Sequence, residues 1–477
     1  GGVALFAFFF LALRFATDWI AASLTVALAV TLPQMWFSRD TYSEPLAQLL
    51  LLGGLVILLA ARAHRHLAAH LLAGLALGGV FSARIDGVVL LLPLATIAGF
   101  WLATRRDRAV GLAFTAGVAA TMTSALLDLV HRSPVYLADQ WKNVRPALTA
   151  ASMALVVVTL IGWLIERRNV SRPALPVAWI RALAPIAGVA TACVLFGLWT
   201  VRPHLQKVRA DGPGADLAGG LSRREGLDDP GRIFSEKSME WLSWYAGPIA
   251  LVIGILGIAL IVHRSVERRS STGLVVFTLG VPTLLYLWRP NNSVDHIWMM
   301  RRYVPAALPL MFLGAAATIA FAWEQRHRYR AGTAVAPVLT AAAVSFPVAA
   351  FIPMIDAHEK RLSYPAMTAV CGTLGPDSAV VFGPGAHVEN HFTQTVRVMC
   401  KVPTAAVSAP DIDYAALEAS WADEGRRLLL VFDANHVPSD VTPSAVVTFE
   451  DQNLEQTIFR RPSEVIVDTR SLVIATP

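Results

Sequence analysis

Two stretches carry most of the side chains that could do chemistry beside apolar sequence. The first is Ser38-Arg39-Asp40-Thr41-Tyr42-Ser43-Glu44-Pro45, the second Asp295-His296-Ile297-Trp298-Met299-Met300-Arg301-Arg302-Tyr303-Val304-Pro305. Carboxylates next to hydrocarbon are costly, so they persist where they have a job. Asp40, Glu44, Asp86, Asp295 and His296 are of the types used for acid–base work or for holding a divalent metal, with Glu44, Asp40 and His296 the best candidate ligands. Arg39, Arg84, Arg301 and Arg302 can neutralise them, and simple ion pairing is the plainer reading of each. Arg301-Arg302-Tyr303, just before a helix, suits a phosphate. A guanidinium offers a planar fork of donors to phosphate oxygens, and a helix N-terminus adds a favourable dipole. The plainer alternative is snorkelling to lipid headgroups.

The elements that must position these groups are membrane helices. The chain has 477 residues, 55% of them hydrophobic and 16% charged, against about 25% charged in soluble domains. Mean hydropathy is +0.53 and the pI is near 9.4. The basic residues recur as short Arg clusters between apolar runs, which argues for cytoplasmic loops and against a nucleic-acid partner. About twelve runs could span, each needing about 20 residues. They fall at 1–16, 19–37, 45–62, 67–82, 85–103, 109–128, 148–165, 177–200, 243–262, 271–288, 303–323 and 332–354.

Arg62 and Arg65, Arg105, Arg106 and Arg108, Arg167, Arg168 and Arg172, Arg264, Arg268 and Arg269, and Arg326, Arg328 and Arg330 occupy alternate loops. By the positive-inside rule those loops are cytoplasmic. The loops 38–44, 83–86, 129–147, 201–242 and 289–302 then face outward, which brings the two polar stretches to one side. Arg84 and Asp86 lie there too, as site residues or as a local ion pair. In 129–147, Tyr136 and Trp141 read as interfacial anchors. The stretch 210–231 reads as flexible, and Met239–Leu242 as an interfacial helix or a lid.

Beyond about residue 355 the pattern becomes that of a small α/β domain, 355–477, following a membrane domain, 1–354. Residues 356–374 and 413–424 read as helices. Residues 378–382, 395–400, 427–432, 445–449 and 465–467 read as strands. Cys371 and Cys400 are expected to pair if this domain lies outside the cytoplasm. Gly383–His387 lacks dinucleotide-loop spacing and reads as a turn, and His387, Glu389 and His391 resemble a metal trio by composition only. Asn291-Asn292-Ser293 matches a glycosylation sequon, and Gly/Ala spacing in 70–79 and 314–318 reads as close helix packing.

Taken together the chain resembles the GT-C superfamily of membrane glycosyltransferases, which includes protein O-mannosyltransferases and lipid A aminoarabinose transferases. The resemblance rests on many helices, the outer Arg39-Asp40-x-Tyr42-Ser43-Glu44-Pro45 loop, the late Arg301-Arg302-Tyr303-x-Pro305 before a helix, and an outer soluble domain. It implies a polytopic α-helical protein of the bacterial plasma (inner) membrane with an extracytoplasmic C-terminal α/β domain. It implies sugar transfer from a polyprenyl-phosphate carrier to a glycan, lipid or protein acceptor, without a nucleotide cofactor and with help from a divalent metal. Asp40 and Glu44 would be the catalytic carboxylates. Arg39, Tyr42, Arg84, Asp86, Asp295, Arg301, Arg302 and Tyr303 would contact substrate, and Glu44 with His296 would hold a metal.

In that family the principal carboxylate follows the first helix. This chain opens inside an apolar run at Gly1 with no Met, so an upstream part is expected, leaving Asp40 and Glu44 as a second acidic element. Were Gly1 the natural start, one of them would have to be the base. The rival readings are a transporter or flippase for a lipid-linked or anionic solute, and a non-catalytic membrane assembly protein. Charges gathered at one face, with no visible inverted repeat, count against transport.

Overall fold

A computed structural model of the chain describes residues 1–39, 42–167, 177–210, 214–268, 270–290, 293–328, 332–357, 363–383, 388–407, 413–439 and 441–477. It divides into two compact units. The first comprises Gly1–Pro353 together with Gln456–Pro462, the second Met354–Glu455 with Ser463–Pro477.

The first unit is helical. Among the described residues, eight helices are long and apolar enough to cross a membrane: Ser43–His64, Ile85–Ala103, Arg108–Arg132, Pro134–Arg167, Trp179–Thr200, Pro248–Arg268, Ala307–His327 and Thr333–Met354. Asp18–Ala29 and Leu32–Ser38 meet at 69° and make a ninth if taken as one span. Gly2–Ala12, Leu67–Ala83 and Gly273–Trp288 are apolar but shorter. Each of the twelve apolar runs thus holds helix, but three of those helices are short and one run is bent.

Small residues let the helices approach. A Cβ on Gly257 would fall 1.7 Å from the carbonyl oxygen of Gly314, so Pro248–Arg268 lies directly on Ala307–Glu324. Gly74 and Gly117 do the same for the contact of Leu67–Ala83 with Arg108–Arg132, where a Cβ at either would meet backbone at 2.2 or 2.3 Å. The Arg-rich loops hold ion pairs of their own. Arg65 and Arg62 reach Asp107 at 2.8 and 3.6 Å, and Arg264 reaches Glu324 at 3.0 Å.

Two expected loops are instead ordered. The stretch 129–147 is helical except for Ser133, because the helices Arg108–Arg132 and Pro134–Arg167 nearly abut. Within 210–231 the helix Gly214–Arg224 forms, burying Ala218 and Leu221. Ser238–Ala246 is a helix, and Met239, Trp241, Leu242 and Tyr245 are fully enclosed, so it is a packed wall of the unit.

The second unit holds a five-stranded sheet in the order β2-β1-β3-β5-β4, with β1 Ser378–Phe382, β2 Thr404–Ala406, β3 Arg427–Asp433, β4 Thr442–Leu454 and β5 Val465–Thr476. β1 pairs in parallel with β2 and β3, and β5 runs antiparallel to β3 and β4. The helices Ser363–Leu374 and Val388–Cys400 cover one face, through Met367, Val370, Phe392 and Val396. Residues 395–400, expected as a strand, belong to the second of these helices. Val396 is buried while Val398 is 72% exposed, so two residues that would share a face of a strand are split by helical periodicity. Asp413 caps Tyr414–Ala422 by accepting from the Ala416 N–H at 2.9 Å. Cys371 and Cys400 are joined in a disulfide, their Cα atoms 4.9 Å apart.

Candidate functional site

Glu44 is the centre of the polar end of the helical unit. It lies in the first turn of Ser43–His64, where a carboxylate favours the helix dipole, and it is fully buried. Its Oε1 accepts from Arg301 Nε at 2.6 Å and from Arg84 Nη1. The first arginine is 257 residues away in sequence and the second 40. Oε2 has no hydrogen-bond partner among the described residues. Arg84 also grips Asp86 with both arms of its fork, Nε to Oδ1 and Nη2 to Oδ2, each at 2.9 Å. Burial opposes the charge on Arg84, but Asp86 and Glu44 outweigh it and raise its pKa above the ordinary value.

Arg302 approaches Asp86 at 3.6 Å and donates to the Pro290 carbonyl at 2.6 Å. Tyr286 donates its hydroxyl to the Asp86 carbonyl at 3.1 Å and lies under Arg302, 5.5 Å from ring centre to guanidinium. Arg301 is flanked by Tyr42 and Trp298, at 5.6 and 5.5 Å, and these rings meet each other and Phe37 edge-on. Tyr303 is buried and donates to the Tyr286 carbonyl at 2.9 Å, which braces the helix end. Arg39 caps Leu32–Ser38 and is exposed. Asp40 lies outside the described residues, as do His387, the side chains of Glu389 and His391, and the first two residues of the sequon.

Of these residues, Arg84, Asp86, Tyr286, Arg301 and Arg302 line a cavity of about 1200 Å³. Its cations are Arg84, Lys142, Arg289, Arg301 and Arg302; its carboxylates are Asp86 and Asp128. Apolar walls come from Phe81, Val88, Val89, Leu129 and Leu285, and Tyr136 and Asn143 close the side contributed by Pro134–Arg167. Tyr136 and Lys142 therefore belong to the cavity, although from sequence they read as parts of a connecting loop. Tyr286 and Arg289 were also missed. Their only signal was a phenol and a guanidinium closing an otherwise apolar run.

His296 is not part of this constellation. Its ring is enclosed by Trp241 at 5.1 Å, Trp244 at 5.2 Å and Tyr245 at 6.0 Å between centroids. Tyr245 Oη and His296 Nδ1 are 3.1 Å apart, and Nε2 has no partner among the described residues. Burial pushes the imidazole down to about 3, so it is neutral at any physiological pH, and it pushes the Tyr245 phenol well above its ordinary value. The His296 N–H donates to the Thr457 carbonyl at 2.7 Å. Asp295 accepts from Ser293 and, at 3.3 Å, from Gln456; burial raises its pKa despite both bonds.

The expected pairing of Glu44 with His296 around a metal is thus not assembled. One side chain faces guanidiniums, the other faces aromatic rings. Among the described residues no group of three His, Cys, Asp or Glu is placed to hold a metal ion. The donor set around Glu44 does not suit a divalent cation, since its two carboxylates are already matched by three arginines. The segment Gln456–Pro462 that covers Asp295 and His296 is anchored by Glu225, whose carboxylate oxygens accept from Ile458 N at 2.6 Å and Phe459 N at 3.0 Å.

No protein-family model, curated protein or solved structure matches the chain.

Proposed function

We propose that the chain is a membrane glycosyltransferase of the GT-C kind, taking a sugar from a polyprenyl-phosphate carrier in the cavity over Arg84, Arg301 and Arg302. The observation behind this reading is the excess of cations there, five against two lining carboxylates, beside apolar helices. A phosphate that departs from a sugar gains negative charge, and guanidiniums fixed in advance stabilise it without reorganising. Arg302 and Lys142 are the phosphate ligands in this reading. Arg302 is only loosely held by Asp86, at 3.6 Å, and Lys142 has no ion-pair partner among the described residues.

Glu44 is a positioning residue here. Its Oε1 is taken up by N–H donors of both Arg84 and Arg301, so the carboxylate fixes the two guanidiniums. Asp40, named from sequence, stays the proposal for the base that takes the acceptor's hydroxyl proton. In this reading the shorter apolar helices and the bent pair also cross the bacterial inner membrane, giving about twelve crossings, with the second unit on the outer face. The acceptor is a glycan, lipid or protein outside the cytoplasm.

The test is transfer of labelled sugar from a polyprenyl-phosphate sugar by membranes carrying the full-length protein. Arg302→Gln should lower transfer about 100-fold, as loss of one electrostatic donor does. Unchanged transfer in both Arg302→Gln and Lys142→Ala removes the reading. Movement of the labelled lipid across vesicles without any transfer replaces it with a flippase.

A further inference from the structure

A second basic hollow lies beside the first. It has a volume of about 860 Å³, and its cations are Arg202, Lys207, Arg209 and Arg289. No carboxylate lines it among the described residues; Asp211 lies outside them. Arg289 lines both hollows. One wall is a short antiparallel pairing in which Ala210 N donates to Gly231 O at 2.9 Å and Ile233 N to Val208 O at 3.0 Å.

Arg202 sets this place apart. It is 5% exposed, yet it touches only neutral acceptors: Gln206 Oε1 at 2.9 Å, Ser238 Oγ at 3.2 Å, Leu287 O at 2.5 Å and Trp288 O at 2.6 Å. Those bonds use four of a guanidinium's five N–H donors. Its plane also lies over Trp288, 4.8 Å from the ring centre. Burial lowers its pKa. Glu236, next to the lining residue Ser235, is committed to Arg232 at 2.6 Å. Lys207 and Arg289 are exposed and have no side-chain partner among the described residues; Arg209 alone is paired, with Asp229 at 2.6 Å. Glu236 acts on Arg202 only from beyond hydrogen-bond range, so this buried cation has no carboxylate in contact, and that contact is one that a ligand can supply. Val201, Leu205 and Trp288 expose apolar surface alongside.

We propose that this hollow is a second phosphate-binding site, in which Arg202, Lys207 and Arg289 hold the phosphate group of an anionic ligand. It stands independently of the transferase reading, which concerns the neighbouring cavity. The phosphate can be that of a lipid headgroup or a free ion, and the experiment separates the two.

Full-length protein is placed in phosphatidylcholine vesicles containing phosphatidic acid brominated near the headgroup, and tryptophan quenching is recorded. Subtracting the Trp288→Phe variant isolates the signal of Trp288 from the other tryptophans. Quenching should half-saturate at a mole fraction about tenfold lower for brominated phosphatidic acid than for brominated phosphatidylcholine, a difference that one charged contact supplies. Lys207→Glu, at an exposed position that folding tolerates, should abolish the preference, and Arg202→Gln should weaken it. Millimolar inorganic phosphate that removes the preference assigns the site to free phosphate; a preference that survives it assigns the site to a lipid headgroup. Equal quenching by both lipids, or a preference retained in both Lys207→Glu and Arg202→Gln, overturns the proposal. Arg302→Gln should leave Trp288 quenching intact even where it stops sugar transfer, so the two readings fail separately.

Discussion

The Glu44 cluster and the His296 box are both buried and polar, and they are built on opposite principles. Around Glu44 the charges stay and are matched: one carboxylate meets two guanidiniums, and a second carboxylate shares one of them. Around His296 the charge is removed: aromatic rings desolvate the imidazole until only its neutral form survives. Matched charge remains available to a ligand that rearranges it, whereas a neutral ring behind Trp241 and Trp244 serves packing. The contrast explains why the cavity opens on the first group and not on the second.

Breaking the match should have the largest effect. Arg84→Ala leaves Glu44 and Asp86 short of charge, and removing one partner of a buried pair costs about 3–5 kcal/mol. The apparent unfolding midpoint in detergent should fall accordingly, and the double variant Arg84→Met with Glu44→Gln should recover much of the loss. If the double variant is as unstable as the single one, the pairing is not what Glu44 depends on.

The aromatic box should show itself through pH. The His296 pKa lies at about 3 when folded and near 6.5 when unfolded. The unfolded chain therefore binds the extra proton between these values, and stability is complete above about pH 6.5 and declines as pH falls toward 3. The slope reaches about 1.4 kcal/mol per unit, or about 2 kcal/mol lost by pH 5. Asp295, whose pKa is raised by burial, works in the other direction, losing stability as pH rises past the ordinary carboxylate range. His296→Gln should flatten the decline between pH 6.5 and 5; a decline that stays as steep would mean another group titrates there. Smallest of all, Tyr245→Phe removes one neutral hydrogen bond and should cost about 1 kcal/mol with no change in the pH profile. A larger loss, or a shifted profile, would bring the box closer to the charged cluster in kind.

Much of the charged cluster was legible because it rests on topology. Apolar runs fix helices, alternating Arg clusters fix which loops share an end, and Glu44, Arg84 and Arg301 follow from that. The box was not legible, although His296 is only five residues from Arg301. Its partners are Trp241, in a stretch that read as interfacial or as a lid, Tyr245, one helical turn on in a run that read as membrane-spanning, and Thr457, which is 161 residues away. No local pattern announces such contacts. The strand expected at 395–400 failed for a related reason: Thr395-Val396-Arg397-Val398 alternates like a strand, while Phe392 and Val396 sit one helical turn apart in the core.

The grip of Glu225 on Ile458 and Phe459 has a consequence for the order of synthesis. Every helix of the first unit leaves the ribosome before residue 456 exists. Until then Asp295 and His296 lack their Gln456 and Thr457 partners, and the Glu225 carboxylate has nothing to hold. The membrane unit is therefore finished last by a piece delivered between the two final strands. A nascent chain stalled after residue 440 should carry an open His296 pocket that the released chain has closed.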